Sequence, residues 1–395
     1  MPNGSSRPPD RLKRALLAGS AIVLSCLPAL FLAEVLLRSL ASDAYFVWPP
    51  HLRHEFHPLP EIMPGVSGVS RFEINAQGLR GDELAENRDV RLLALGGSTT
   101  ECLFLDGSEA WPRLLQDHLG AARKDTAIWV GNAGRSGHNT WHHRVQAEKL
   151  LAQYPGIDTV LVLAGVNDLS QRLALDRAYA PPDPDRVLDE AFEQKPLRFM
   201  HGPFYKRTAL WQGLEKIARR LRTAGTSQDP TGRIYVRWRQ HRQGASATRT
   251  QLPDLGPALE EYAANLRAIA DTAARHGARA VFVTQPALWR EDLPEDLERL
   301  LWMGGVGRFQ RESGHEYYSA GALASAMDAY NRALLEVCRG TPGAVCVDLA
   351  ASLPRDTTSF YDDVHFNEAG SRRVARLLAE RILGTDLLRE TTPSR

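Results

Sequence analysis

The chain of 395 residues has no surplus of either charge: 48 Lys and Arg face 47 Asp and Glu, a formal net charge of +1. Without a basic excess there is no global argument for nucleic acid as a partner. Cysteine is scarce as well, and the four copies, at 26, 102, 338 and 346, show no metal-ligand spacing. The close pair Cys338 and Cys346 fits two readings equally, a disulfide formed in an oxidising compartment or two small core residues. What remains, 43% hydrophobic and 24% charged residues, suits a globular protein with ample core, in one large domain or two.

One long hydrophobic run is present. Residues 15–37, ALLAGSAIVLSCLPALFLAEVLL, are apolar apart from small polar residues and a late Glu34. At about 1.5 Å per residue such a helix is roughly 35 Å long, enough to cross a bilayer. Arg7, Arg11, Lys13 and Arg14 precede it and only Arg38 follows closely. The positive-inside rule then leaves residues 1–14 in the cytoplasm and the rest outside, on the periplasmic side of a single-pass signal-anchor. A cleaved signal peptide ending near Ser39-Leu-Ala41 is the rival, but the run is long for the apolar core of a signal peptide. A lipoprotein signal at Cys26 fits poorly with Leu24 and Ser25. Pro28 is tolerated in a membrane helix.

Residues 38–89 read as a linker and N-terminal extension, with a short strand at Arg71–Ile74 and a turn at Asn75-Ala-Gln-Gly78. From residue 90 the pattern repeats. Short apolar runs at Val90–Leu95, Ala127–Val130, Thr159–Leu163, Ala280–Val283 and Ala344–Leu349 alternate with helical spacing. The helices are expected at Ser108–Ala122, Thr140–Gln153, Pro257–His276, Ala320–Arg339 and Glu368–Leu383. Strands alternating with helices predict an α/β fold with a parallel sheet over 90–385, leaving 386–395 as a C-terminal tail. Residues 172–256 are too long for a loop and read as an insertion with its own structure. Between Lys195 and Arg249 it holds 13 Lys and Arg against Glu215 and Asp229. Leu210, Leu214, Ile217, Ala218 and Leu221 follow helical spacing there. A basic amphipathic helix of this kind either rests on an anionic surface or packs on the sheet domain with its arginines in water.

The chemistry is expected beyond the carboxyl ends of the strands, where open α/β sheets bind their ligands. Gly96-Gly97-Ser98-Thr-Thr follows the first strand, with a hydroxyl at the start of a helix, where unpaired N–H groups favour developing negative charge. Gly131-Asn-Ala-Gly134 follows the second strand and Ala164-Gly-Val-Asn-Asp168 the third. Phe360-Tyr-Asp-Asp-Val-His-Phe-Asn367 lies before the last helix. Singly, each is a turn or a cap. Together they supply the parts of acyl transfer: Ser98 as nucleophile, His365 as base, Asp362 to orient the imidazole, and the N–H groups of Ser98 and Gly134 with the Asn167 amide as oxyanion donors. Arg135 and Trp141, near Gly134, are candidate substrate contacts. His138, His142 and His143 read as surface or pocket lining, and Cys102 as a core residue.

The order Gly-Gly-Ser98, Gly134, Gly165-Val-Asn167-Asp168 and Asp362-Asp-Val-His365 resembles the four blocks of the SGNH (GDSL-like) hydrolases, over about residues 90–383. The resemblance implies a flavodoxin-like three-layer α/β/α fold with a five-stranded parallel sheet and a serine esterase mechanism without metal or cofactor. It maps Ser98, Asp362 and His365 to the triad and Gly134 and Asn167 to the oxyanion hole. Gly97 stands where the GDSL name has Asp, a departure that bears on subfamily rather than on activity. The expected partners are an ester substrate, an acylated carbohydrate or lipid, and the membrane. The alternatives are an extracytoplasmic O-acyltransferase that modifies polysaccharide, with a sugar hydroxyl in place of water, and a silent envelope scaffold.

Overall fold

The computed structural model describes residues 9–40, 43–200, 203–223 and 229–388. The expected cytoplasmic stretch up to residue 8, position 41 of the rival cleavage site, and the tail from 389 lie outside the described residues. The chain divides into two compact units, one of residues 1–44 with 195–227, the other of 45–194 with 228–395.

The larger unit is built on five parallel strands: β1 (Val90–Gly96), β2 (Ile128–Asn132), β3 (Thr159–Leu163), β4 (Arg279–Val283) and β5 (Val345–Val347). Their order is β2-β1-β3-β4-β5, with Ala94 opposite Asn132 on one side and Leu161 on the other. Every residue of β2 and β3 is buried. That is why the strands read as continuous apolar runs rather than alternating ones: helices cover both faces. These helices are α1 (Ser98–Glu101), α2 (Trp111–Ala122), α3 (Thr140–Gln153), α4 (Val166–Leu175), α5 (Pro184–Ala191), α6 (Arg233–Gln243), α7 (Gly256–Arg275), α8 (Ala320–Arg339) and α9 (Glu368–Leu383). α2 packs on α9, while α7 packs on α3 and α8, giving two helical layers around the sheet.

Three expectations are corrected. The helix predicted from Ser108 starts at Trp111, because Asp106 accepts the Ser108 N–H and closes a 3-10 turn over Gly107–Glu109 first. Residues 172–256 are not one insertion: 172–194 and 228–256 belong to the sheet unit, and only 195–227 fall in the smaller unit. Among the described residues, no helix is long and apolar enough to cross a membrane, against the reading of 15–37 as a spanning segment. Those residues do form a helix, Pro9–Leu40, but the side chains at 16, 18, 19 and 21–23 lie outside the described set. Beyond them Pro28, Glu34 and Arg38 break the apolar character.

Within the smaller unit this N-terminal helix packs against the basic helix Ala209–Thr223. Glu34 accepts the backbone N–H groups of Ala209 and Leu210, each at 2.9 Å, and the Arg38 guanidinium at 2.6 Å. The carboxylate in the apolar run is therefore a cap on the first turn of a second helix, where helix N–H groups lack internal partners.

Cys338, at the end of α8, is bonded to Cys346 in β5, closing a loop of eight residues' separation. Replacing both with serine is expected to lower stability by about 2–3 kcal/mol, the loop-closure entropy returned to the unfolded chain. Denaturant unfolding of the pair variant against the oxidised wild type measures it.

Candidate active site

Ser98 stands at the carboxyl end of β1, and Asn167 follows β3 in the first turn of α4. β1 and β3 are the neighbours at which the strand order reverses, the crevice where such sheets place their ligands. The third element arrives from the loop between β5 and α9. His365 Nε2 lies 2.7 Å from Ser98 Oγ, and His365 Nδ1 lies 2.7 Å from Asp362 Oδ2. A residue 267 positions away in sequence is thus brought within hydrogen-bond distance of the serine.

Asp362 has no exposed surface and His365 is 6% exposed. Asp362 Oδ1 accepts the backbone N–H groups of Val364 and His365 at 3.0 and 2.9 Å, closing the Asp-x-x-His turn on itself. Burial alone would raise its pKa, but the facing imidazole and these N–H groups outweigh it and hold the carboxyl below its ordinary range. For His365 burial acts downward, and the charge and hydrogen bond of Asp362 overcome it, so the imidazole titrates above its ordinary 6.5. Asp363, beside Asp362, is pushed up to about 6 by burial and by its neighbour's charge.

The turn that presents Ser98 is held from behind. Cys102 ends α1 after four residues in a left-handed conformation, φ 54°. Arg80, fully enclosed, donates through Nη1 to the carbonyls of Glu101 and Cys102 at 2.7 and 2.6 Å and through Nη2 to Leu105 at 2.6 Å. It takes up the Glu101 carbonyl at the end of this short helix and ties it to the Cys102 and Leu105 carbonyls of the turn that follows. The Cys102 thiol is pushed up to about 11, chiefly by burial, so it is no second nucleophile at neutral pH.

Gly97 makes room for a donor. A Cβ at this position would meet Asn167 Nδ2 at 2.3 Å, so the Asp of the GDSL name does not fit here without moving the amide. Asn167 Nδ2 donates one hydrogen to the His138 carbonyl at 2.7 Å, which aims the amide and leaves its second hydrogen for another acceptor.

Not every expected residue joins this group. Gly134 gives its N–H to Asn132 Oδ1 at 2.8 Å, and Asn132 Nδ2 in turn donates to the Thr100 carbonyl. A Cβ at Gly134 would meet Glu101 N at 2.3 Å. Its glycine therefore serves close packing behind α1, and it does not line the cavity that opens in front of Ser98. Gly137, at φ +80°, does line that cavity with Ser98 and Asn167, and its N–H has no partner among the described residues. The sequence signal for it was the Ser136-Gly137 pair ahead of the Asn139 cap of α3. Arg135 and Trp141 are also absent from the cavity wall. Arg135 instead donates to the Val47 carbonyl at 2.8 Å, pairs with Glu193 at 2.9 Å and lies over the Trp48 ring. His142 lines the cavity, while His138 and His143 are buried. Asp168 accepts the N–H and hydroxyl of Thr140, tying α4 to α3.

The cavity measures about 830 Å³. Tyr235, Trp238, Trp302 and Phe309 give it aromatic walls, and Asn139, Gln171, Asp183, Glu190 and Gln310 polar ones. Asp183 caps α5 and Glu190 lies near its end, while Tyr235 and Trp238 come from α6. Both belong to the stretch that sequence spacing read as a separate insertion.

The GDSL-like Lipase/Acylhydrolase family model matches residues 94–302, just over half of the chain, so the chain belongs to this family. It is an ester-hydrolysing enzyme of the SGNH type. The match takes in Ser98, Gly137 and Asn167 and ends before Asp362 and His365. Among solved structures the chain is similar to Axe2, an acetylxylan esterase from Geobacillus stearothermophilus, at 16% identity and a TM-score of 0.40, covering 78% of this chain and 99% of that one. It is also similar to LAE5, an α/β hydrolase enzyme from the metagenome of Lake Arreo, Spain, at 15% identity and a TM-score of 0.40, covering 75% and 94%. No curated protein matches it.

Two outcomes are expected from this geometry. With His365 as the base, kcat/KM for an ester is expected to fall on the acid side with a midpoint above 6.5; a rate that stays level through 6.5 contradicts this. Gly97→Ala displaces the Asn167 amide and is expected to lower kcat by about 10²-fold while the thermal unfolding curve stays near wild type.

Proposed function

We propose that the chain is a serine esterase in which Ser98, His365 and Asp362 act as nucleophile, base and orienting carboxylate. The observation that carries this is the continuous hydrogen-bonded chain, 2.7 Å at each of its two imidazole contacts, opening onto the cavity. Ser98 Oγ attacks the acyl carbonyl as His365 Nε2 takes its proton. The oxyanion is held by the N–H groups of Ser98 and Gly137 and by Asn167 Nδ2. Collapse expels the alcohol, which takes the proton back from His365, and water repeats the sequence on the acyl-enzyme.

The substrate we infer is an acylated carbohydrate carrying a small acyl group. A cavity of about 830 Å³ is far larger than such a group fills, so most of its wall faces the alcohol part. Aromatic faces beside carboxylates and amides suit a sugar ring, whose C–H faces stack while its hydroxyls donate and accept. A lipid chain would make no use of the polar atoms that Asp183, Glu190, Gln171 and Gln310 place in the wall.

We further infer that the catalytic unit works outside the cytoplasm and is held at a membrane by the N-terminal helix. The Cys338–Cys346 bond suits an oxidising compartment. Leu24, Leu27, Leu30, Phe31, Leu32, Val35 and Leu36 are exposed along that helix and offer apolar side chains to such a surface.

Ser98→Ala is expected to lose turnover of acetylated xylo-oligosaccharide and labelling by a fluorophosphonate together. Retained turnover rejects the mechanism. Mass spectrometry of the products with a second sugar present tells hydrolysis from acyl transfer: free acid is expected, and a newly acylated sugar would replace water as the acceptor.

A further inference from the structure

Trp302 touches both the triad carboxylate and the cavity. Its indole Nε1–H donates to Asp362 Oδ2 at 2.9 Å, the same oxygen that faces His365 Nδ1. Its ring lies against Trp238, centroids 4.6 Å apart, and both rings line the cavity. Its backbone is pinned: Trp302 N donates to Asp363 Oδ2 at 2.7 Å, and the carbonyls on either side are taken by arginines of α6. Arg239 Nε binds the Leu300 carbonyl at 3.1 Å and Arg242 Nη1 the Met303 carbonyl at 2.6 Å. A ring fixed this firmly, with its one polar atom on the buried carboxylate, is built to hold something still.

We propose that Trp302 is a positioning residue of the proton relay: its indole fixes the Asp362 carboxylate against rotation, and its ring joins that carboxylate to the surface on which the substrate stacks. The carboxylate of Asp362 has four acceptor directions, and each is used, two by backbone N–H groups, one by the imidazole and one by the indole. With no water-exposed surface, a lost indole has no substitute, and Oδ2 is free to turn away from the imidazole. A substrate ring seated against Trp238 and Trp302 presses on the residue that orients the base, so occupancy of the alcohol side bears on the rate of proton transfer. This proposal rests on the esterase reading.

The test is the rate of fluorophosphonate labelling of the full chain, followed against pH for wild type and Trp302→Phe. Phenylalanine keeps an aromatic face and removes the N–H. The expected result is a labelling rate lower by about ten- to hundredfold. An acid midpoint moved downward is expected with it, because a carboxylate turned away from the ring stabilises the imidazolium less. The other groups around the relay are unchanged in this variant: Asp363 and Glu101 facing His365, Tyr235 and Tyr361 facing Asp362, and Arg242 facing Asp363. A merely structural role lowers the melting temperature and leaves the midpoint in place. Wild type that fails to label overturns the esterase reading and this proposal with it. Wild type that labels beside a variant of unchanged rate and midpoint overturns this proposal alone. If the variant does not fold, the eight tryptophan indole N–H resonances of wild type are followed over the same pH range. One that moves with the labelling midpoint supports the proposal; eight that stay put overturn it.

Discussion

A carboxylate without access to water is the constraint around which the larger unit is arranged. An unpaired charge in that position costs several kcal/mol, and Asp362 escapes the cost only by using every acceptor direction it has. Two of its partners come from its own turn and are local. The other two come from His365 and from Trp302, 60 residues upstream, so the loop after β4 and the loop after β5 must both be in place before the charge is satisfied. The neighbouring Asp363 does the joining. It accepts the Trp289 indole at 2.8 Å and the Trp302 backbone at 2.7 Å, and so fastens the first loop to the second. Two adjacent acids therefore divide the labour, one oriented toward the imidazole and one toward the scaffold.

The Ser98 side is governed by what is missing rather than by what is present. Gly97 and Gly134 each sit where a single carbon would collide with a donor amide or with the backbone of α1. Their bareness lets the turn, the amide of Asn167 and the strand-end loop of β2 close to within van der Waals distance. Arg80 completes the arrangement from the rear by gathering three carbonyls, so that a helix of four residues is stable without the length that helices usually need.

Much of this was legible in residue order. The strands announced themselves because parallel strands buried on both faces are uniformly apolar, and the Asp-x-x-His spacing closes on itself by local hydrogen bonds that need no tertiary knowledge. The choice between Gly134 and Gly137 was not read from residue order. Both follow β2, and only the Asn132 side chain, which claims the first N–H, separates them. The cavity wall was hidden for a similar reason. Trp238 and Trp302 are 64 positions apart, carry no periodic signal, and meet only because Arg239 and Arg242 draw the loop at 300–303 onto α6. The long basic stretch misled because its charge is uniform while its allegiance is divided between two units.

Glu34 carries a consequence for anyone who shortens the protein. Removing the leading helix to obtain a more tractable fragment also takes away the carboxylate that receives the first two amides of Ala209–Thr223. The residual piece would keep an amphipathic stretch with its opening amides bare and Leu214 and Ile217 still facing outward. Such a fragment inherits a sticky, frayed end, so a clean excision has to take 195–227 as well and rejoin the chain across the gap.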